Sequence, residues 1–297
     1  MVSGVIAALV AVTVIVVAVA GNGDGVDPRL ITRSVDRALA SGSARVVFSF
    51  TLDAPPGFEE QAGSFGGDGV FDFAGRRSHV RLRVSDSLGG DGEGSTPAEG
   101  RLEIIVDGTT TLVRMAELTR AAGGAHEWFR VDLDELARVT GRSQLGLGAS
   151  DPAQTLDYLR GTASDPVEVG KEPVAGVPTT HFAATLDLAR AAAAAPAGRR
   201  EQVGAAVAQF RDQFGTTRFP VDVWIDDDGF PRRLRYELDL SDFDASGEIP
   251  AGAIMSFTME LFDYGTDAPV EAPPPDTVGD LTTLLARLTE EGTGTAT

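Results

Sequence analysis

Any chemistry in this chain would have to come from three histidines and a few acidic clusters, because its 297 residues include no cysteine. That absence removes thiolate metal sites, a cysteine nucleophile, a disulfide framework and a lipid-modified cysteine. His126-Glu127 opens like a zinc-protease helix, whose second histidine must follow four residues on to share one helix face, but that position is Arg130. His79 and His181 lie far from it in sequence, each within a strand pattern, and all three read as structural histidines. No G-x-S-x-G elbow, P-loop or dinucleotide fingerprint occurs at a strand-to-helix junction. Asp226-Asp227-Asp228-Gly229 offers the hard oxygens that calcium takes, yet the first ligand of an EF-hand loop would fall on Trp224, and Asp-Gly between two strand patterns is turn chemistry. Asp239, Asp242 and Asp244 read as a solvated strand end. No metal, cofactor or catalytic constellation is therefore expected, and the chain reads as non-catalytic.

The elements that would position these residues are mostly strands. Arg45 to Leu52 alternates Val46, Phe48, Phe50 and Leu52 with Val47, Ser49 and Thr51, which is a strand with one buried face. Gly69 to Phe73, His79 to Val84, Leu102 to Val106, Thr110 to Met115 and Glu127 to Val131 follow in hairpin order. A Gly/Asp/Glu/Ser loop, Ser87 to Gly100, interrupts them. Helices are predicted at Pro28 to Ala40, Asp132 to Val139, Asp151 to Arg160, Ala189 to Phe214 with a break at Pro196, and Asp276 to Leu288. Further strands are predicted at Val167 to Val169 and Thr179 to Leu188, separated by a turn over Lys171 to Val177, and then at Phe219 to Ile225, Arg232 to Leu240 and Ala253 to Tyr264. The sum predicts an α+β fold: a large, curved antiparallel sheet of about ten or eleven strands, with helices over its apolar concave face.

Charge and hydropathy narrow the partners. With 25 basic and 44 acidic side chains the net charge is −19, which argues against nucleic acid. Hydrophobic residues make up 42% of the chain, enough for a packed core. A curved sheet covered by only a few helices leaves room for an apolar cavity, and such a cavity is a lipid site by default. Strand alternation selects Phe48, Phe50, Phe71, Phe73, Leu82, Ile104, Val106, Phe182, Val223, Trp224, Phe257 and Met259 as its candidate lining, with Phe182 and Trp224 resting on rival choices of face.

Residues 1–20 contain no charged side chain, and Val5 to Ala20 is apolar apart from Thr13. Sixteen helical residues reach roughly 24 Å against a hydrocarbon core of ~30 Å, and Ala18-Val19-Ala20 has the small-residue pattern of a signal-peptidase site. This segment reads as a signal peptide or an N-terminal membrane anchor, placing the rest outside the cytoplasm. Residues 21–27 then form a linker, 28–288 one lipid-binding domain and 289–297 a disordered tail.

Two hairpins extend the reading. Val167-Glu168-Val169-Gly170-Lys171-Glu172-Pro173-Val174-Ala175-Gly176-Val177-Pro178-Thr179-Thr180-His181-Phe182 and Val221-Asp222-Val223-Trp224-Ile225-Asp226-Asp227-Asp228-Gly229-Phe230-Pro231-Arg232-Arg233 resemble signatures of the actinobacterial LppX/LprA/LprF/LprG lipoproteins and, more distantly, of LolA-like carriers. The resemblance covers roughly Val26 to Leu288. It implies a half-open β-barrel closed by helices, with acylated lipids or lipoprotein acyl chains in an apolar cavity. Those lipoproteins carry a lipobox cysteine, which this chain lacks, so only residues 5–20 could tether it to a membrane. A module of the same fold that docks an envelope membrane protein is the alternative.

Overall fold

The computed structural model describes residues 26–27, 29–58, 62–84, 101–108, 110–131, 166–194, 200–214, 217–239, 252–267, 270–284 and 287. The expectations for residues 1–20, the loop 87–100, the helices at 132–139 and 151–160, Asp242, Asp244 and the tail 289–297 lie outside these. Among the described residues no helix is long and apolar enough to cross a membrane.

Strand β1 (Ser43–Asp53) buries Ala44, Val46, Phe50 and Leu52 and exposes Arg45, Val47, Ser49 and Asp53, as period two requires. It sits at the middle of a twelve-stranded sheet. On one side run β2 (Gly63–Asp72), β3 (Arg77–Val84), β4 (Arg101–Asp107), β5 (Thr110–Arg114) and β6 (Trp128–Val131). On the other lie β11 (Ile254–Phe262), β10 (Pro231–Asp239), β9 (Arg218–Asp226), β8 (Val177–Asp187) and β7 (Val167–Val174). All these pairs are antiparallel; β12 (Val278–Asp280) adds to β6 in parallel. The fold is α+β with a large antiparallel sheet, as the hairpin order predicts, but the sheet has twelve strands and is open, with β12 and β7 as its edges. Barrel closure would need those edges to pair.

Two local differences have clear causes. Ala175 and Gly176 both have positive φ, 49° and 82°, so the turn between β7 and β8 takes only two residues and Lys171 lies within a strand. At the other edge, the helix predicted from Asp276 is preceded by a 3-10 turn (Pro275–Thr277) and β12. Gly279 lies against the His126 ring, where a Cβ would stand 2.8 Å from the ring Cδ2. Helical backbone follows only from residue 281.

Helices cover one face, here called inner. Helix α1 (Leu30–Ala40) buries Ile31, Ser34, Val35 and Ala38 at helical spacing and packs over β1 and β10. Leu188 of α3 (Leu188–Ala194) and Val203 and Val207 of α4 (Arg200–Phe214) join the same core. The short α2 (Ala116–Ala121) and Leu281 and Leu284 pack around Phe129 of β6.

The outer face is charged and cross-strand paired. Asp68 accepts from Arg81 and Arg83, Glu103 from Arg114 and pairs with His79 at 3.1 Å, and Arg233 binds Glu260. Burial would raise the Glu103 and Asp68 pKa values, but their partners outweigh it and hold both carboxyls below the usual range. A carboxylate depressed in the folded state stabilises the fold above its unfolded pKa, and that contribution is lost as pH falls through the folded value. Stability is therefore expected to decline progressively below about pH 4.5. Urea midpoints measured across this range should show a shallower acid limb for Glu103→Gln; an unchanged limb would remove Glu103 from the account.

Candidate functional site

Antiparallel register arranges the inner side chains in rows across the sheet. At the Ser43 end of β1 the row Ala44, Phe71, Ser78, Val106, Thr111 and Val131 is buried throughout. The next three rows differ. Val46 and Phe50 of β1 are buried, but Val80, Ile104 and Val113, then Phe48, Leu82 and Leu102, then Phe65, Phe257 and Tyr236 are only half-buried. These side chains form a band running from β10 through β1 to β5. The described helices pack to either side of it: α1, α3 and α4 on the core around β8 to β11, and α2 with residues 281 and 284 on Phe129.

Ring contacts organise the middle of the band. Tyr236 stacks on Phe257 at 5.2 Å, Phe257 lies 6.5 Å from Phe48, and Phe50 stacks on Phe65 at 4.8 Å. Gly67 lies beneath the Phe48 ring: a Cβ there would stand 2.7 Å from Phe48 Cζ and 2.6 Å from the Arg81 carbonyl oxygen. A glycine in mid-strand here permits that close approach. Burial pushes the Tyr236 phenol well above its ordinary pKa, so it stays neutral in this apolar setting.

All the residues predicted to line the site fall on the inner side except Trp224. Phe50, Phe71, Phe73, Val106, Phe182, Val223 and Met259 are buried, whereas Phe48, Leu82, Ile104 and Phe257 keep part of their surface in the band. Trp224 follows Val223 within β9 and so must point the other way. On the outer face it stacks on His181 at 4.1 Å, carries Arg233 5.3 Å above its ring, and donates its indole N–H to Glu172. Phe182 pairs in register with Val223 and is an inner residue. Sequence reasoning missed Phe65, Val80, Leu102, Val113 and Tyr236. Val80 and Leu102 share the parity of Leu82 and Ile104 in their strands, and that parity was a usable signal.

The polar candidates do not converge. His181 pairs with Asp222 at 2.8 Å, His79 with Glu103, and His126 packs against Phe129. Among the described residues no group of three or more histidines and carboxylates is placed to hold a metal ion. Asp226 is buried, and its carboxylate accepts the Phe230 N–H at 2.8 Å and the Arg232 Nε–H at 2.5 Å while Gly229 turns with φ 83°. It anchors the β9–β10 turn. Phe230 in turn stacks on Tyr264 at 4.5 Å and takes Arg37 of α1 5.1 Å over its face, which ties the helix to the sheet.

No family model matches the chain. An uncharacterised 31.2 kDa protein of Streptomyces griseus, described by its position between rplA and rplJ, is 30% identical over 178 residues. The match covers 58% of this chain and 53% of that protein, so the chain spans about half the length of this relative. Among solved structures, LprF of Mycobacterium bovis is similar over 84% of this chain and 96% of its own, with 16% identity and a TM-score of 0.45. The lipoprotein LppX of Mycobacterium tuberculosis is similar over 83% of this chain and 100% of its own, with 15% identity and a TM-score of 0.42. Both bear names from the group that the two hairpin motifs resemble.

Proposed function

We propose that this protein is a non-catalytic, extracytoplasmic lipid carrier that shelters acyl chains of a lipid or lipoprotein against the inner face of its sheet. The observation that carries this reading is the continuous half-buried apolar band from β10 to β5. At a strand spacing of ~4.8 Å it runs for about 29 Å, close to the ~30 Å hydrocarbon core that two opposed acyl chains fill, so one chain fits along it in full. Burying each CH₂ contributes ~0.8 kcal/mol, so a sixteen-carbon chain gains roughly 12 kcal/mol before ordering costs reduce it. That reduction matters, since a carrier must release its cargo. The charge-free residues 1–20 support an exported location.

The test is organic extraction of gently purified full-length protein followed by mass spectrometry. Lipid in near-stoichiometric amount is the expected result. Its repeated absence would overturn the carrier reading and favour a module that docks an envelope membrane protein.

A further inference from the structure

A hollow lies on the face of the sheet opposite the band, between the outer sides of β4, β5 and β6 and the segment 270–280 that crosses them. Its volume is about 370 Å³, within the range of small-molecule sites. Ile105, Leu112, Val270 and Val278 give it an apolar lining and belong to the cluster around Trp128. Asp107, Thr110, Arg130 and Asp280 supply its polar groups.

Arg130 is unusual among these. Every other strand arginine with a described side chain, from Arg45 on β1 to Arg235 on β10, is ion-paired with a carboxylate. Arg130 is exposed, lines the hollow and has no described partner. The two nearby acids are engaged elsewhere. Asp107 pairs with Arg77 at 3.0 Å. Asp280 stands opposite Arg130 in register, yet its carboxylate accepts the Thr283 N–H at 2.8 Å and the Thr283 hydroxyl at 3.1 Å. Among the described residues Arg130 is thus a strand guanidinium with no ion pair, standing beside an apolar hollow.

We infer that this hollow binds a small amphiphilic monocarboxylate, with its apolar body against Ile105, Leu112 and Val278 and its carboxylate on Arg130. A guanidinium fork matches a carboxylate with two parallel hydrogen bonds. With Asp107 and Asp280 beside it in the lining, Arg130 favours a ligand of one negative charge over a phosphate dianion. This site shares no residue with the inner band, so it stands independently of the carrier reading.

Decanoate, titrated calorimetrically into full-length protein carrying Leu82→Asp and Ile104→Asp to disable the inner band, tests the assignment. Saturable one-to-one binding is expected, at least tenfold weaker in Arg130→Gln, partly kept in Arg130→Lys, and at least tenfold weaker for decanol. In parallel, Trp128 emission is followed in a Trp224→Phe chain, which retains the native inner band and leaves one tryptophan beside the hollow. A saturable decanoate-induced change lost in Arg130→Gln is expected there. Absence of binding, or binding indifferent to Arg130→Gln in both formats, would overturn the inference.

Discussion

Leu82→Asp combined with Ile104→Asp is expected to strip the protein of co-purifying lipid while leaving it folded. Both side chains lie on neighbouring strands within the half-buried band, toward its β5 end, so each retains solvent contact before cargo arrives and an aspartate there stays hydrated. With an acyl chain laid across them, two apolar contacts of ~2 kcal/mol each are lost and two carboxylates face desolvation at ~1–3 kcal/mol each. The sum, about 6–10 kcal/mol, corresponds to an affinity loss on the order of 10⁴-fold or more. Mass spectrometry of solvent extracts should find lipid in the native chain and none in the double variant, with matching circular dichroism. Native stoichiometry in the variant would remove cargo from the inner face.

Asp226→Ala is expected to cost about 3–5 kcal/mol of folding stability, the usual penalty for leaving a buried ion without its partner. The Arg232 side chain is only 18% exposed and lies 5.3 Å from the Tyr264 ring, so the orphaned guanidinium cannot simply rotate into water. The Phe230 N–H loses its acceptor in the same step. Adding Arg232→Met to Asp226→Ala should recover most of the loss, because a pair replaced by apolar groups of similar size is far less harmful than a pair broken. Urea midpoints for the two single variants and the double variant would show the coupling; additive losses would mean that the pair contributes nothing as a pair.

Much of the sheet was legible from alternation because one face is apolar and the other charged. The faces of β1, β9 and β10 follow directly from period two, and so does the inner-face placement of Phe48, Phe50 and Val223. Trp224 rested on the rival choice of face to Val223, and a neighbour of Val223 in a strand cannot share its side. Helix α2 spans six residues, too short for a helical period to register. The early start of β2 was hidden by Gly66 and Gly67, which look like a break in sequence and are strand residues here. Val278, Leu281 and Leu284 read as one helical stripe, yet Val278 packs on the outer face with Trp128 while Leu281 and Leu284 pack with Phe129, on the inner side. An apolar repeat does not reveal that its segment changes sides at an edge strand.

The order of the strands also has a kinetic side. Within each meander the hairpins close short loops, but β1 and β11 pair across roughly two hundred residues, and non-local pairing of that kind folds slowly. Synthesis delivers β1 first, and its seam edge then waits for a strand near the far end of the chain. The outer edge of β6 waits longer still, for three residues of β12. Until both arrive, two unpaired edges stand open to pairing with other chains. The interval before that last docking thus adds two unpaired edges to those that β7 and β12 keep in the finished open sheet, and it raises the chain's exposure to aggregation while it lasts.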